Sequence, residues 1–350
     1  MGKLKKLTGY RLFLPLSCLI IVLLINLITT PTFFRITINN GVLYGYIIDV
    51  INRASELVVL AVGMTLVVSA SAGTDISVGA VMAVAAAVCT RVLAGGEVSV
   101  NEYANPYVLA VLAALAAAVV CGGFNGLLVA KLKIQPMVAT LILFTAGRGI
   151  SQLVTNGQIT YIRVDGYKLL GNNIPGIPIP TPIFVAVIVV ALTYILLKKT
   201  AMGMYIQSVG INERASRLVG LKSVKIIWMA YAFCGLCAGI AGLVASSRIY
   251  SADANNIGLN MELDAIAAVA LGGNSLGGGR FSLLGSVIGA YTIQALTTTL
   301  YAMSVPADQI PVYKAIVVIL IVAVQSEELK KFRKRLASRH SCKNVEGGAA

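Results

Sequence analysis

Histidine is almost absent from this 350-residue chain, occurring only at position 340, and charged residues of either sign make up just 12% of it. The first lack removes nucleophilic sites built on a Ser/His pair and metal clusters built on imidazole, and no paired-carboxylate site stands out in their place. No Gly-x-x-x-x-Gly-Lys-Ser/Thr phosphate loop occurs, and the glycine-rich stretch 272–279 has no Lys-Ser/Thr behind it, so ATP is not bound here by that route. The six cysteines, Cys18, Cys89, Cys121, Cys234, Cys237 and Cys342, fall mostly in apolar segments. Cys234 and Cys237 have the spacing of a redox or metal pair, but inside an apolar run they read as buried thiols, and no metal site is expected.

Against these lacks stand 57% hydrophobic residues and a mean hydropathy of +0.85, values that describe a bilayer protein and not a soluble globule of this size. The net charge of +14 is clustered. Residues 1–11 carry Lys3, Lys5, Lys6 and Arg11 with no acid, 198–225 carry six basic residues against Glu213, and 327–343 carry seven against two acids. The positive-inside rule makes all three cytoplasmic, while segments 95–105 and 301–310, poor in Lys and Arg, face outward. Basic residues that follow topology in this way do not form a nucleic-acid patch.

Residues 12–30 form an uncharged run behind a basic start; it is longer than a signal-peptide core and lacks a small-x-small cleavage site, so it reads as a retained first span. Further uncharged runs cover 57–72, 76–90, 106–130, 134–147, 178–197, 226–247, 265–279, 281–307 and 315–326. With roughly 20 residues needed per span, the expectation is an all-α, polytopic membrane helix bundle of about ten crossings with both termini inside. The runs at 57–72, 265–279 and 315–326 are short, and eight crossings would also fit. The expected division is a basic N-terminus (1–11), a transmembrane domain (12–326) containing a cytoplasmic loop (198–225), and a basic tail (327–350).

Two glycine-rich interruptions punctuate the apolar pattern. Gly73-Thr74-Asp75-Ile76-Ser77-Val78-Gly79 places an acid between membrane-length runs, where an acid is costly and usually functional. Residues 263–280 have a similar layout, with Gly272, Gly273, Gly277, Gly278 and Gly279 between apolar stretches. Such breaks make the discontinuous helices of transporters, and a pair of them points to a duplicated core. This topology puts both on one side, whereas an inverted repeat needs opposite sides. Isolated glycines such as Gly239 and Gly242 read instead as helix-packing positions. In the loop after Lys198, Asn212 is suited to N-cap a short helix with Glu213 in its first turn, 215–219 as its body and Gly220 as its stop, either as a lever for a partner protein or as a plain connector.

Together, 73–79, the run 125–136 from Asn125 to Pro136, the loop from Gly210 through Gly220, and 263–279 resemble the permease subunits of bacterial monosaccharide ABC importers over 48–325. Lys133-Ile134-Gln135-Pro136 with 139–143, Ala146-Gly147-Arg148-Gly149, and Ala252-Asp253-Ala254-Asn255-Asn256 look most like galactofuranose permeases. The resemblance implies a multi-pass protein of the bacterial inner membrane and an ABC importer permease fold. Its implied partners are a separate ATP-binding subunit, a periplasmic sugar-binding protein, and a second permease chain, identical or homologous. It makes Gly210, Asn212, Glu213, Ala215 and Gly220 the coupling helix seated on the ATPase.

A neutral sugar needs hydrogen-bonding groups more than charge. Candidate liners are Gly73, Asp75, Ser77, Asn125, Arg148, Asn255, Asn256 and the stripe Tyr291, Gln294, Thr298, Tyr301, which shares one helix face and could equally be an interhelical seam. Asp75 could instead cap the following helix, and Arg148 could pair inside the bundle or snorkel. The rival readings are a proton-coupled secondary transporter using Asp75 and a membrane enzyme using Asp75 and Arg148. They part from the importer on whether transport needs ATP.

Overall fold

The computed structural model describes residues 12–39 and 41–325; the basic segments expected at 1–11 and 327–350 lie outside them. The order is α1 (Phe13–Thr29), a hairpin of β1 (Thr37–Asn39) and β2 (Val42–Tyr44), α2 (Tyr46–Ser71), α3 (Val78–Ala94), β3 (Ser99–Val100), α4 (Tyr107–Ala130), α5 (Pro136–Val154), β4 (Thr160–Ile162), α6 (Thr181–Lys199), α7 (Met202–Ile211), α8 (Glu213–Leu218), α9 (Ser223–Ile249), β5 (Ser251–Ala252), α10 (Met261–Leu271), α11 (Leu283–Ala302) and α12 (Ile310–Gln325). The chain is predominantly helical, but the all-α expectation missed the hairpin and a small sheet of order β3-β4-β5, in which β3 runs parallel and β5 antiparallel to β4.

Six helices among the described residues are long and apolar enough to cross a membrane: α2, α4, α5, α6, α9 and α11. Three further apolar helical stretches, at 15–29, 78–94 and 310–320, are shorter, so the expected ten crossings are not established by helix length. The weak run at 57–72 is the second half of the 26-residue α2, which starts at Tyr46 and at about 1.5 Å per residue is ample for a span. The run at 265–279 fares differently. Its helix, α10, has only 11 residues and covers about half of a hydrocarbon core.

The centre of the bundle is α2, α3 and α9, whose small side chains let backbones meet. A Cβ on Gly122 of α4 would lie 2.4 Å from the Tyr231 carbonyl oxygen, and one on Gly235 of α9 would lie 2.4 Å from that of Ala118. This crossing of α4 and α9 therefore exists only because both positions are glycine, the small-residue packing that holds helices together in lipid. Gly239 and Gly242 behave as expected, against Ala118 and against the Met82 backbone. Cys234 and Cys237 are buried and unpaired in disulfides, as read from their setting.

The two ends of the bundle differ. Gly279 N–H donates to the Ser69 carbonyl at 3.0 Å, so the end of α2 and the 272–282 segment lie together, as the expected topology had it. At the other end, Ile162 N–H donates to the Tyr250 carbonyl and the small sheet gathers three connections. α2 and α9 are antiparallel neighbours, since Arg248 near the end of α9 pairs with Glu56 and Asn52 near the start of α2. Each ends on a left-handed residue, Ala72 at φ 52° and Tyr250 at φ 57°. Each then passes through a non-helical segment into a helix, α3 or α10. Both helices therefore lead through a break into a shorter helix, 73–77 after α2 and 251–260 after α9, and the glycine-rich 272–282 segment is a further non-helical break between α10 and α11.

Candidate functional site

The first break is buried, with Thr74 Oγ1 and Asn125 Oδ1 left without partners among the described residues. Asp75 is 2% exposed and its Oδ1 accepts from Ser77 N–H at 2.9 Å and from the Ser77 hydroxyl at 2.7 Å. Asn125 of α4 donates to the Ser77 hydroxyl oxygen at 2.8 Å and lies 3.5 Å from the same carboxylate oxygen. Ile76 N–H is taken by the Thr140 hydroxyl of α5, and a Cβ on Gly73 would strike the Pro136 ring at 2.4 Å. Asp75 thus sits just ahead of α3 and turns the chain into it by an Asx-type bond two residues on. The helix begins at Val78, two residues later than expected. Arg148 does not pair with Asp75. Among these residues Asp75, Ser77 and Asn125 are buried inside one chain, and no finding favours Asp75 as a proton-coupling acid.

The second break is held from outside. Arg148 of α5 is half-buried and its Nη1 donates to the carbonyls of Ala254 and Ile257 at 2.9 and 2.5 Å. These carbonyls belong to a turn with no helix to satisfy them, and a guanidinium supplies several donors at once. The alternatives left open for Arg148 resolve to pairing with backbone. Its Nη2 and Glu262 Oε2 are both buried without a partner, and Glu262 lies within electrostatic reach of Arg148. Glu262 is 3% exposed beside Gly79, while Asp264 pairs with Lys314 of α12 at 2.6 Å.

Asn255 and Asn256 are exposed on this turn. Asp253 accepts from the backbone N–H of Asn255 at 2.9 Å and from the Asn256 side chain at 2.6 Å. Gln152, one turn beyond Arg148 and missed in the sequence, donates to Asn255 Oδ1 at 2.7 Å. Its i+4 spacing from Arg148 was the available clue. Gln294 lies apart on α11, 3.4 Å from Thr298 of its own helix. The inter-helix bond of that region comes from the next position, with Asn26 of α1 donating to Thr299 at 2.7 Å.

The loop candidates form a third group at the opposite end. Asn212 Oδ1 accepts from Ala215 N–H at 2.9 Å, the N-cap expected, and Gly220 takes φ 88° just past α8. Sequence reading missed α7, whose last turn carries Gly210. A Cβ there would lie 1.7 Å from the Ser69 carbonyl oxygen and 2.7 Å from Gly279 N, so the loop is wedged between the end of α2 and the 272–282 segment. Glu213 joins Lys133, after α4, at 2.5 Å and Arg217 at 2.6 Å. Partial desolvation would raise its carboxyl, but these two cations outweigh it and hold Glu213 below the usual range. Beyond this anchored base, Leu218 is 90% and Val219 77% exposed, an apolar tip presented outward.

Six membrane-length helices among the described residues, with non-helical breaks between several of them, make a polytopic helix bundle. The family described as branched-chain amino acid transport system / permease component matches residues 46–325, and the chain belongs to that family. It is 44% identical over 324 residues to the galactofuranose transporter permease protein YtfT of Escherichia coli K12, covering 93% of this chain and 92% of that protein. It is 37% identical to the fructose import permease protein FruF of Bifidobacterium longum (97% and 94% covered) and 35% identical to the ribose import permease protein RbsC of E. coli K12 (89% and 93% covered). No solved structure matches.

Proposed function

We propose that this chain is the membrane-spanning permease subunit of an ATP-driven importer that passes a monosaccharide, galactofuranose, from a periplasmic binding protein to the cytoplasm. The observation that carries this reading is its end-to-end similarity to permeases named for sugars, with the galactofuranose permease the most similar of the three compared. The chain is not itself an enzyme; ATP is bound and hydrolysed in a partner subunit. The protein sits in the bacterial inner membrane with both termini cytoplasmic, beside a second permease chain, identical or homologous.

In this account the lever end faces the cytoplasm. Leu218 and Val219 enter the ATPase, Asn212, Glu213, Ala215 and Gly220 keep α8 rigid, and Gly210 passes its displacement to the end of α2. Closure of the ATPase thereby biases a two-state permease. Gly73, Asp75, Ser77 and Asn125 hold the first break in shape. Arg148 positions the second, and Asn255, Asn256, Gln152 and Gln294 offer hydrogen bonds to a neutral sugar.

The test is uptake in proteoliposomes holding the permease, its ATPase and its binding protein. ATP-dependent uptake of labelled galactofuranose, with weaker competition by ribose and fructose, supports the reading. Preference for another sugar overturns the galactofuranose assignment alone. Ala215→Glu and Gly220→Pro are expected to leave ATP hydrolysis running while uptake stops; full uptake in both would sink the coupling role.

A further inference from the structure

One cavity lies outside everything assigned so far. It has a volume of about 380 Å³ and opens between the last turns of α4 and the first turns of α9. Lys131 reaches it from the end of α4, and Lys222 and Lys225 from the start of α9. Among the described residues none of these three ammonium groups has an ion-pair or side-chain hydrogen-bond partner, whereas Lys133, two positions away, is neutralised by Glu213. The start of α9 adds to the field: its N-cap is Lys222, no side chain caps it and its own first turn holds no acid, although the Ser223 hydroxyl there donates to Glu213 Oε1 at 3.3 Å.

Deeper in the cavity the wall turns apolar. Leu127 and Val224 are part-exposed beside the indole of Trp228, the chain's single tryptophan, which lies against Gly123 and Gly126 and is 41% exposed. The indole N–H has no acceptor among the described residues. Trp228 and Leu127 belong to membrane-length helices, and an indole that is half apolar and half donor belongs at headgroup depth.

We infer that this cavity is a site for an anionic phospholipid. The phosphodiester sits among Lys131, Lys222, Lys225 and the start of α9, and the first acyl carbons lie along Leu127, Val224 and Trp228. A soluble anion would use the lysines but not the wall. Basic pockets between membrane helices take acidic lipids for this reason. The bound lipid would also stiffen the lever, because Ser223, at the start of α9, accepts from Arg217 of α8 at 2.7 Å. None of this depends on which solute is carried.

The test uses the full chain, purified with its partners in mild detergent and offered equal phosphatidylglycerol and phosphatidylcholine, with bound lipid read by native mass spectrometry. Phosphatidylglycerol should be retained about threefold or more over phosphatidylcholine, and K131Q/K222Q/K225Q should lower that retention by a similar factor at unchanged melting temperature. K198Q/K199Q, which removes charge elsewhere on the same loop, should leave it unchanged. Equal retention of both lipids, equal loss in both variants, or displacement of the lipid by millimolar inorganic phosphate each overturns the site. So does loss of the partner ATPase from the triple variant with lipid retention intact. If the triple variant does not purify, Lys222→Gln alone is read, and unchanged retention overturns the proposal.

Discussion

The two breaks that follow α2 and α9 meet the same problem, a run of backbone without helical partners, and solve it differently. The first is buried, with its own Asp75 and Ser77 bonded together and reached by Asn125 of α4 and Thr140 of α5. The second is held from a neighbouring helix by Arg148, and its Asn255 and Asn256 remain exposed. Only the second keeps polar side chains available to something outside the chain. The contrast is one of exposure, and on the proposed function it makes the second break the one placed to meet a solute.

The strongest way to break this comparison is Arg148→Leu. Two carbonyls lose a charged donor, for a cost of about 2–4 kcal/mol, and uptake should fall at least about tenfold, with Arg148→Lys in between because an ammonium lacks the planar fork. Uptake near wild type in Arg148→Leu would show that the second break needs no clamp. Next comes Asp75→Leu, which leaves the Ser77 N–H and hydroxyl buried without their acceptor at about 1–3 kcal/mol each. Thermal melting should drop clearly, while the apparent KM of whatever folds stays put. Asp75→Asn should be milder and keep ATP dependence. A shifted KM in either would move Asp75 into the solute path.

Gln152→Ala and Asn255→Ala sharpen the other side. The two residues share one exposed hydrogen bond, so melting should hardly move, while the apparent KM rises by about three- to tenfold if that pair meets the sugar. The smallest effect concerns the lever. Because Lys133 and Arg217 lower the Glu213 carboxyl, the contact is fully present above the ordinary value of 4.5 and is lost only as pH falls through the lower folded value. ATPase coupling should therefore be flat from pH 8 down to the ordinary value, and Glu213→Gln should differ from wild type only modestly. A transition near neutrality would contradict this.

Much of the architecture was legible because apolar runs and basic clusters are local features. The membrane class, most helices, the Asn212 cap and the Gly220 stop could all be read directly. Three things were not. The start of α2 at Tyr46 was hidden by Asp49, Arg53 and Glu56, and the structure shows Glu56 neutralised by Arg248, 192 positions later. The break after α9 carries only one glycine, Gly258, so a search for glycine clusters found 272–279 and passed over it. α7 was missed because its glycines, Gly203 and Gly210, look like breakers; only the close approach of Ser69 explains why Gly210 is there. At the site, types and positions were visible, but which break faces outward is set by burial that only the packed bundle defines.

The central claim is that this permease is driven by a separate ATPase. A pull-down of the chain from native membranes in mild detergent, with mass spectrometry of what accompanies it and an ATPase assay on the eluate, tests it most directly. An ATP-binding subunit with vanadate-sensitive hydrolysis, together with any second permease, is the predicted result. A chain free of ATPase that still moves solute down a proton gradient in liposomes would contradict it.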